Sequence, residues 1–135
     1  MKLALTLPTI TSILLTTTLT SLTTALCYTT GKSLNRERAG YHVGRACKGY
    51  DGNAGALQGY FAPGATKYAC INDAVIGGGK LELEVQNLNS GIGFDLGDVD
   101  CTAELNLIIG LCGMGGTVPN SEGWRFRVDP NAGSC

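Results

Sequence analysis

The sequence predicts an α+β fold, a single-domain sandwich of a mainly antiparallel sheet of about five strands with two helices, stapled by disulfides. Three observations predict it. All six cysteines lie beyond Ala25 in a chain that opens like a secretory precursor. Two segments alternate apolar and polar residues at the strand period of two, and two others carry apolar residues at helical spacing.

Residues 1–25 read as a secretory signal peptide. Lys2 supplies a positive start, an aliphatic stretch follows, and Thr23-Thr24-Ala25 offers small residues for cleavage after Ala25. The stretch is too rich in Ser and Thr for a stable membrane span, and nothing later approaches the roughly 18–20 apolar residues that spanning needs. Residues 26–135 then form one secreted domain. In an oxidising compartment, Cys27, Cys47, Cys70, Cys101, Cys112 and Cys135 read as a framework of three bridges, with the chain-terminal Cys135 as a staple. A single histidine and the lack of a CxxC spacing make zinc a poor rival.

The first helix is predicted within 33–50. Ala39, Val43, Ala46, Cys47 and Tyr50 make one stripe, with Ser33 or Asn35 as the cap, and the small side chains suggest close approach to a sheet. His42 lies off that stripe and reads as solvated. Next come a short strand (ALQGYF), a turn (APGA) and a second strand (TKYACI). After GGG, KLELEVQNL is the clearest strand, with Leu81, Leu83 and Val85 on a dry face and Glu82, Glu84 and Gln86 on a polar one. GIGFDL reads as a further strand. A second helix is predicted over 98–112, capped by Asp98 or Asp100. It is apolar nearly all round, which calls for deep burial or a partner. In GWRFRV, the final strand, Trp124, Phe126 and Val128 face one way and Arg125 and Arg127 the other. If the second helix forms, Cys101 and Cys112 stand about 16 Å apart along its axis and cannot pair with each other. The other pairings stay open.

Chemistry is sparse. Ten Lys and Arg against eleven Asp and Glu give no nucleic-acid or anionic-lipid footprint. GxSxG, HExxH and phosphate-loop motifs are absent, and one histidine leaves triads without their base. Glu82 and Glu84 could serve a glycosidase, but they fit better as the wet face of a strand answered by Arg125 and Arg127. Asp95, Asp98 and Asp100 could bind calcium, yet the EF-hand glycine and terminal glutamate are missing, and helix capping explains them better. What remains is a rigid polar sheet face with Tyr60, Phe61, Tyr68 and Trp124 at hand. Such a face suits sugars, which offer hydroxyls to polar side chains and C–H faces to rings. Trp124 reads equally well as core.

The segments CYTTG, RACKG, GYFAPGATKYAC, KLELEVQNL, CTAELNLIIGLC and GWRFRVDPNAGSC are together similar to a family of small secreted, cysteine-rich fungal glycan-binding proteins, best represented among mushrooms. The resemblance rests on the cysteine spacing and the DPNAGSC tail. It implies an αβα-sandwich-like domain, a homodimer formed through sheet edges, and lectin-like binding of N-acetylhexosamine- or fucose-bearing glycans or glycoproteins. The expected function is therefore extracellular glycan binding without catalysis, in defence or host interaction, with no cofactor beyond a conceivable Ca²⁺ and no membrane insertion. The expected contacts are Tyr68, Glu82, Glu84, Gln86, Arg125 and Arg127, with Asp95 and Asp98 as helpers. The alternative is a secreted effector or toxin-like protein acting on a protein or membrane target.

Overall fold

The computed structural model describes residues 24–135, so nearly all of the expected signal peptide lies outside the described residues. The chain runs β1 (Leu26–Cys27), α1 (Arg36–Lys48), β2 (Gly59–Phe61), β3 (Thr66–Ile71), β4 (Lys80–Asn87), β5 (Phe94–Leu96), α2 (Asp98–Leu111), β6 (Gly116–Ser121) and β7 (Trp124–Asn131). A five-stranded antiparallel sheet has the order β1-β6-β7-β4-β3, and β2 and β5 make a separate two-stranded ribbon. The α+β fold is as the sequence predicts, but the strand count is reached differently. ALQGYF and GIGFDL form the ribbon, while β1 and β6 complete the sheet.

β4 is the spine. Its inward residues Leu81, Leu83 and Val85 meet Val128 and Phe126 of β7, Val118 of β6, and Leu105, Ile108 and Ile109 of α2 in one buried cluster. Its outward residues Glu82, Glu84 and Gln86 stay part-exposed. The alternation follows from the pleat, since a one-residue slip would bury every carboxylate.

Asn35 caps α1, its Oδ1 accepting from Arg38 N at 3.1 Å. Ala39, Val43, Ala46 and Cys47 are buried as the stripe requires, but Gly49 ends the helix and Tyr50 lies beyond it, exposed. The small residues of α1 pack chiefly on α2 rather than on the sheet. Gly97, not an aspartate, occupies the cap position of α2; Asp98 and Asp100 sit in its first turn, suited to the positive end of the helix dipole. The apolar girth of α2 is only half used: Cys101, Leu105, Ile108 and Ile109 are buried, whereas Val99 and Leu111 face solvent.

The six cysteines form three bridges, Cys27–Cys112, Cys47–Cys101 and Cys70–Cys135, so Cys101 and Cys112 find different partners. The first ties β1 to the end of α2, and the second joins the two helices. The third pins the chain end to β3, where Cys135 N also donates to Asn72 Oδ1 at 2.8 Å. Among the described residues no helix is long and apolar enough to cross a membrane.

Candidate functional site

The sheet face turned away from the helices collects charge. Register places Tyr68 of β3, Glu84 of β4 and Arg127 of β7 in one row across three strands, with Cys70, Glu82 and Asp129 in the next. Arg125 Nη2 donates to Glu84 Oε1 at 2.6 Å and Arg127 Nη2 to Glu84 Oε2 at 3.1 Å, so both guanidiniums grip one carboxylate. Arg127 Nη1 also donates to Asp129 Oδ2 at 3.0 Å. Glu82 accepts from Tyr68 OH at 2.5 Å, Lys80 Nζ at 3.2 Å and Asn131 Nδ2 at 2.6 Å. Gln86 Nε2 donates to the Gly64 carbonyl at 3.4 Å. Cross-strand ion pairs of this kind hold the side chains in fixed directions, although each exposed pair adds only about 0–1 kcal/mol.

The expected contact residues Tyr68, Glu82, Glu84, Gln86, Arg125 and Arg127 therefore share one surface. Asp95 and Asp98 do not join it. Asp95 pairs with Tyr60 on the separate β2–β5 ribbon, and Asp98, in the first turn of α2, accepts at Oδ2 from Gln58 Nε2 at 3.0 Å. Among the described residues no three His, Cys, Asp or Glu side chains gather as a metal site. Of the aromatic residues expected near the face, only Tyr68 is on it. Phe61 is buried, its ring edge-on to Trp124 at 5.0 Å, and Tyr60 projects from the ribbon.

Sequence reasoning missed Tyr28. Together with Thr117, Pro119, Glu84, Arg125 and Arg127 it lines a hollow of about 520 Å³ at the β6–β7 side of the face. Burial pushes its phenol pKa up, with the charge of Asp129 adding to the shift. No pattern in the sequence marks it, because β1 pairs through only two residues. Asp129 and Asn131 were legible in principle: continuing the alternation of β7 past Val128 puts both on the polar side.

The hydrogen bond to Glu82 pushes Tyr68 up to about 12, and the same bond heads the causes that lower Glu82. The signs are opposite. The Tyr68 contribution to stability is complete below its unfolded pKa of about 10 and is lost as pH rises through about 12. The Glu82 contribution is present above the ordinary glutamate value of 4.5 and fades as pH falls through the lowered folded value. Because Tyr68 is 46% exposed, solvent screens the energy and ionisation itself is the better readout. A phenolate absorbance titration is expected to show a last step that disappears in Tyr68→Phe and moves to lower pH in Glu82→Gln. A last step unchanged in both variants would break the pairing.

His42 is not solvated as expected. Its Nε2 lies 2.6 Å from Asp73 Oδ1, close in distance but poorly angled for a hydrogen bond, and Arg38 also pairs with Asp73. The hydrogen bond from Arg38 is the largest of the causes that lower Asp73.

No protein-family model matches the chain, and no curated protein is significantly similar to it.

Proposed function

We propose that this is a secreted, non-catalytic glycan-binding protein that presents the polar face of its sheet to sugars. The observation that carries the reading is the clamped Glu84, whose two guanidiniums, flanked by Tyr28 and Tyr68, form a preset array of donors, acceptors and ring faces beside an open hollow. Sugars are bound by such arrays because little side-chain entropy is lost on contact. A hydrolase would need one carboxyl raised to act as an acid, and Glu82 is moved the other way. The expected ligands are N-acetylhexosamine- or fucose-bearing glycans of a competitor, predator or host, met outside a fungal cell. A homodimer through the outer edge of β3 fits the same reading. Asn87 N donates to Ala65 O, and the alternation that follows turns the backbone groups of Thr66, Tyr68 and Cys70 outward.

The test is a glycan-array screen of the oxidised, secreted protein, followed by the Arg125→Ala variant. Arg125 is chosen over Glu84 because removing Glu84 would leave two neighbouring guanidiniums with Asp129, on Arg127, as their one remaining acid partner. Saturable binding to a narrow glycan set is expected. Arg125→Ala should weaken it by about tenfold or more, roughly 1.4 kcal/mol, while the melting temperature moves by only a few degrees. A blank array from folded protein would sink the reading.

One feature favours the effector alternative. Tyr60, Leu88, Ile92 and Phe94 are exposed around the ribbon, where the Tyr60 ring crowds Gly93, and such a cluster suits a protein or membrane target. Undiminished binding to deglycosylated cells would select it.

A further inference from the structure

On the other side of the molecule, a cleft of about 490 Å³ opens between α1, the end of β3 and the loop after α1. Small-molecule pockets run from about 300 to 1,000 Å³, so its size fits a compact ligand. It exists because its apolar lining is small: Ala46, Ala54, Ala56 and Ala69, with Ile71 as the one large aliphatic side chain. The end of the loop cannot fall inward to fill it. Gly55 already rests against the Ala46 carbonyl, and Leu57 N donates to that same oxygen at 2.9 Å.

The polar rim is asymmetric. Asp73 is engaged by Arg38 and His42, so its charge is answered within the fold. Arg45 is not. It forms no ion pair among the described residues. Instead its guanidinium lies 3.6 Å from the Tyr50 ring centroid and 5.5 Å from that of Tyr41, and its Nη1 donates to Tyr41 OH at 2.9 Å. Two aromatic neighbours and one hydrogen bond fix its direction without neutralising its charge. A planar guanidinium held in place beside a small apolar cleft is a receptor for a carboxylate, because its remaining N–H groups match the two oxygens and the apolar body of the ligand finds the alanines.

We infer that this cleft is a second binding site, independent of the glycan reading, for a small organic anion: a carboxylate carried on a compact apolar body. The carboxylate sits on Arg45, and the body lies against Ala46, Ala56 and Ala69. Asn72 at the rim is a further polar contact.

The experiment is an amide-shift titration of the oxidised, secreted protein with 3-phenylpropionate, using 3-phenylpropanol as the neutral control. Saturable shifts are expected in Ala46–Tyr50, Ala54–Ala56 and Ala69–Asp73, with a dissociation constant below about 1 mM and the alcohol at least about tenfold weaker. Arg45→Gln should weaken the acid by about tenfold or more without changing the affinity for the alcohol. Ala56→Leu, on the exposed loop, should block both ligands by filling the cleft. Thermal melts of both variants check that they fold. The site is overturned if the shifts fall on Arg125 and Arg127 instead, if nothing saturates, or if Arg45→Gln binds the acid as well as the unaltered protein does.

Discussion

Replacing Cys47 and Cys101 together by alanine is expected to cost the protein far more than removing the terminal Cys70–Cys135 staple. The bridge closes a separation of 54 residues, for which chain entropy gives about 4 kcal/mol. Both sulfurs are buried between the helices, so their loss also opens a void worth roughly 1 kcal/mol. Against the typical 5–15 kcal/mol of a whole domain this is severe, and the melting temperature should fall by about 15–25 °C. The Cys70–Cys135 bridge spans 65 residues, so loop length alone would rank it higher. The expected order is the reverse. Cys135 is exposed at the chain end, and without the staple the residues after Asn131 regain roughly 1 kcal/mol each of backbone freedom in the native state. Urea unfolding of the two double-alanine variants measures both costs. If the terminal pair costs as much as the helix pair, the tail is held by more than its staple.

The legible parts of the fold were those whose pattern is local. β4 and the front of β7 alternate cleanly: β4 lands within a residue of its observed bounds, and β7 starts within a residue of where the pattern places it. α1 follows from its stripe and its Asn35 cap, and α2 from its apolar spacing, though its cap position falls on Gly97 and not on an aspartate. β6 was invisible because Gly116-Thr117-Val118-Pro119-Asn120-Ser121 has a single inward apolar residue, a proline and a bulge. It is tolerated because β1 pairs only with Gly116 and Thr117, which leaves Pro119 on what is in effect an edge. The end of β7 was lost at Pro130, which reads as a turn. In the sheet, β4 gives its odd-numbered backbone groups to β3, so Leu81 and Pro130 face each other as a non-hydrogen-bonded pair. The missing proline N–H points past the end of β6 and costs no ladder bond.

The candidate face was legible for the same reason as β4. Charges that alternate on two strands meet if those strands are neighbours, and Glu84, Arg125 and Arg127 do. Asp95 and Asp98 were grouped with them by sequence nearness alone. A ribbon that pairs apart from the main sheet carries its residues off the polar face, and nothing local announces the departure. The pairing of His42 was hidden likewise, since Asp73 lies in a loop beyond β3 and only the packing of α1 beside that strand brings the two together.

That departure hangs on one side chain, and Asn87→Leu is the second substitution expected to be severe. Asn87 ends β4 on its inward side and is only 1% exposed, the one fully buried polar residue in the described core. Its amide nitrogen points at the carbonyls of Phe61, Ala62 and Ile92, at 3.4, 3.2 and 3.1 Å, while its oxygen accepts from Asn89 N at 3.0 Å. Asn89 in turn takes Gly91 N and Ile92 N at 3.0 and 2.9 Å, so the two asparagines thread the loop that leads into β5. Leucine has a similar shape but no polar atoms, and it leaves a buried N–H and up to three carbonyls unanswered. At about 1–3 kcal/mol for each buried group without a partner, the expected loss is roughly 3–5 kcal/mol. The damage should be local first. Amide exchange ought to quicken across Gly59–Phe61 and Phe94–Leu96 before the β4–β7 pairs respond, because the main sheet keeps its own ladder. Should Asn87→Leu melt within about 1 kcal/mol of the unaltered protein, with the ribbon still protected, the edge-on packing of Phe61 and Trp124 would be what holds the ribbon to the sheet.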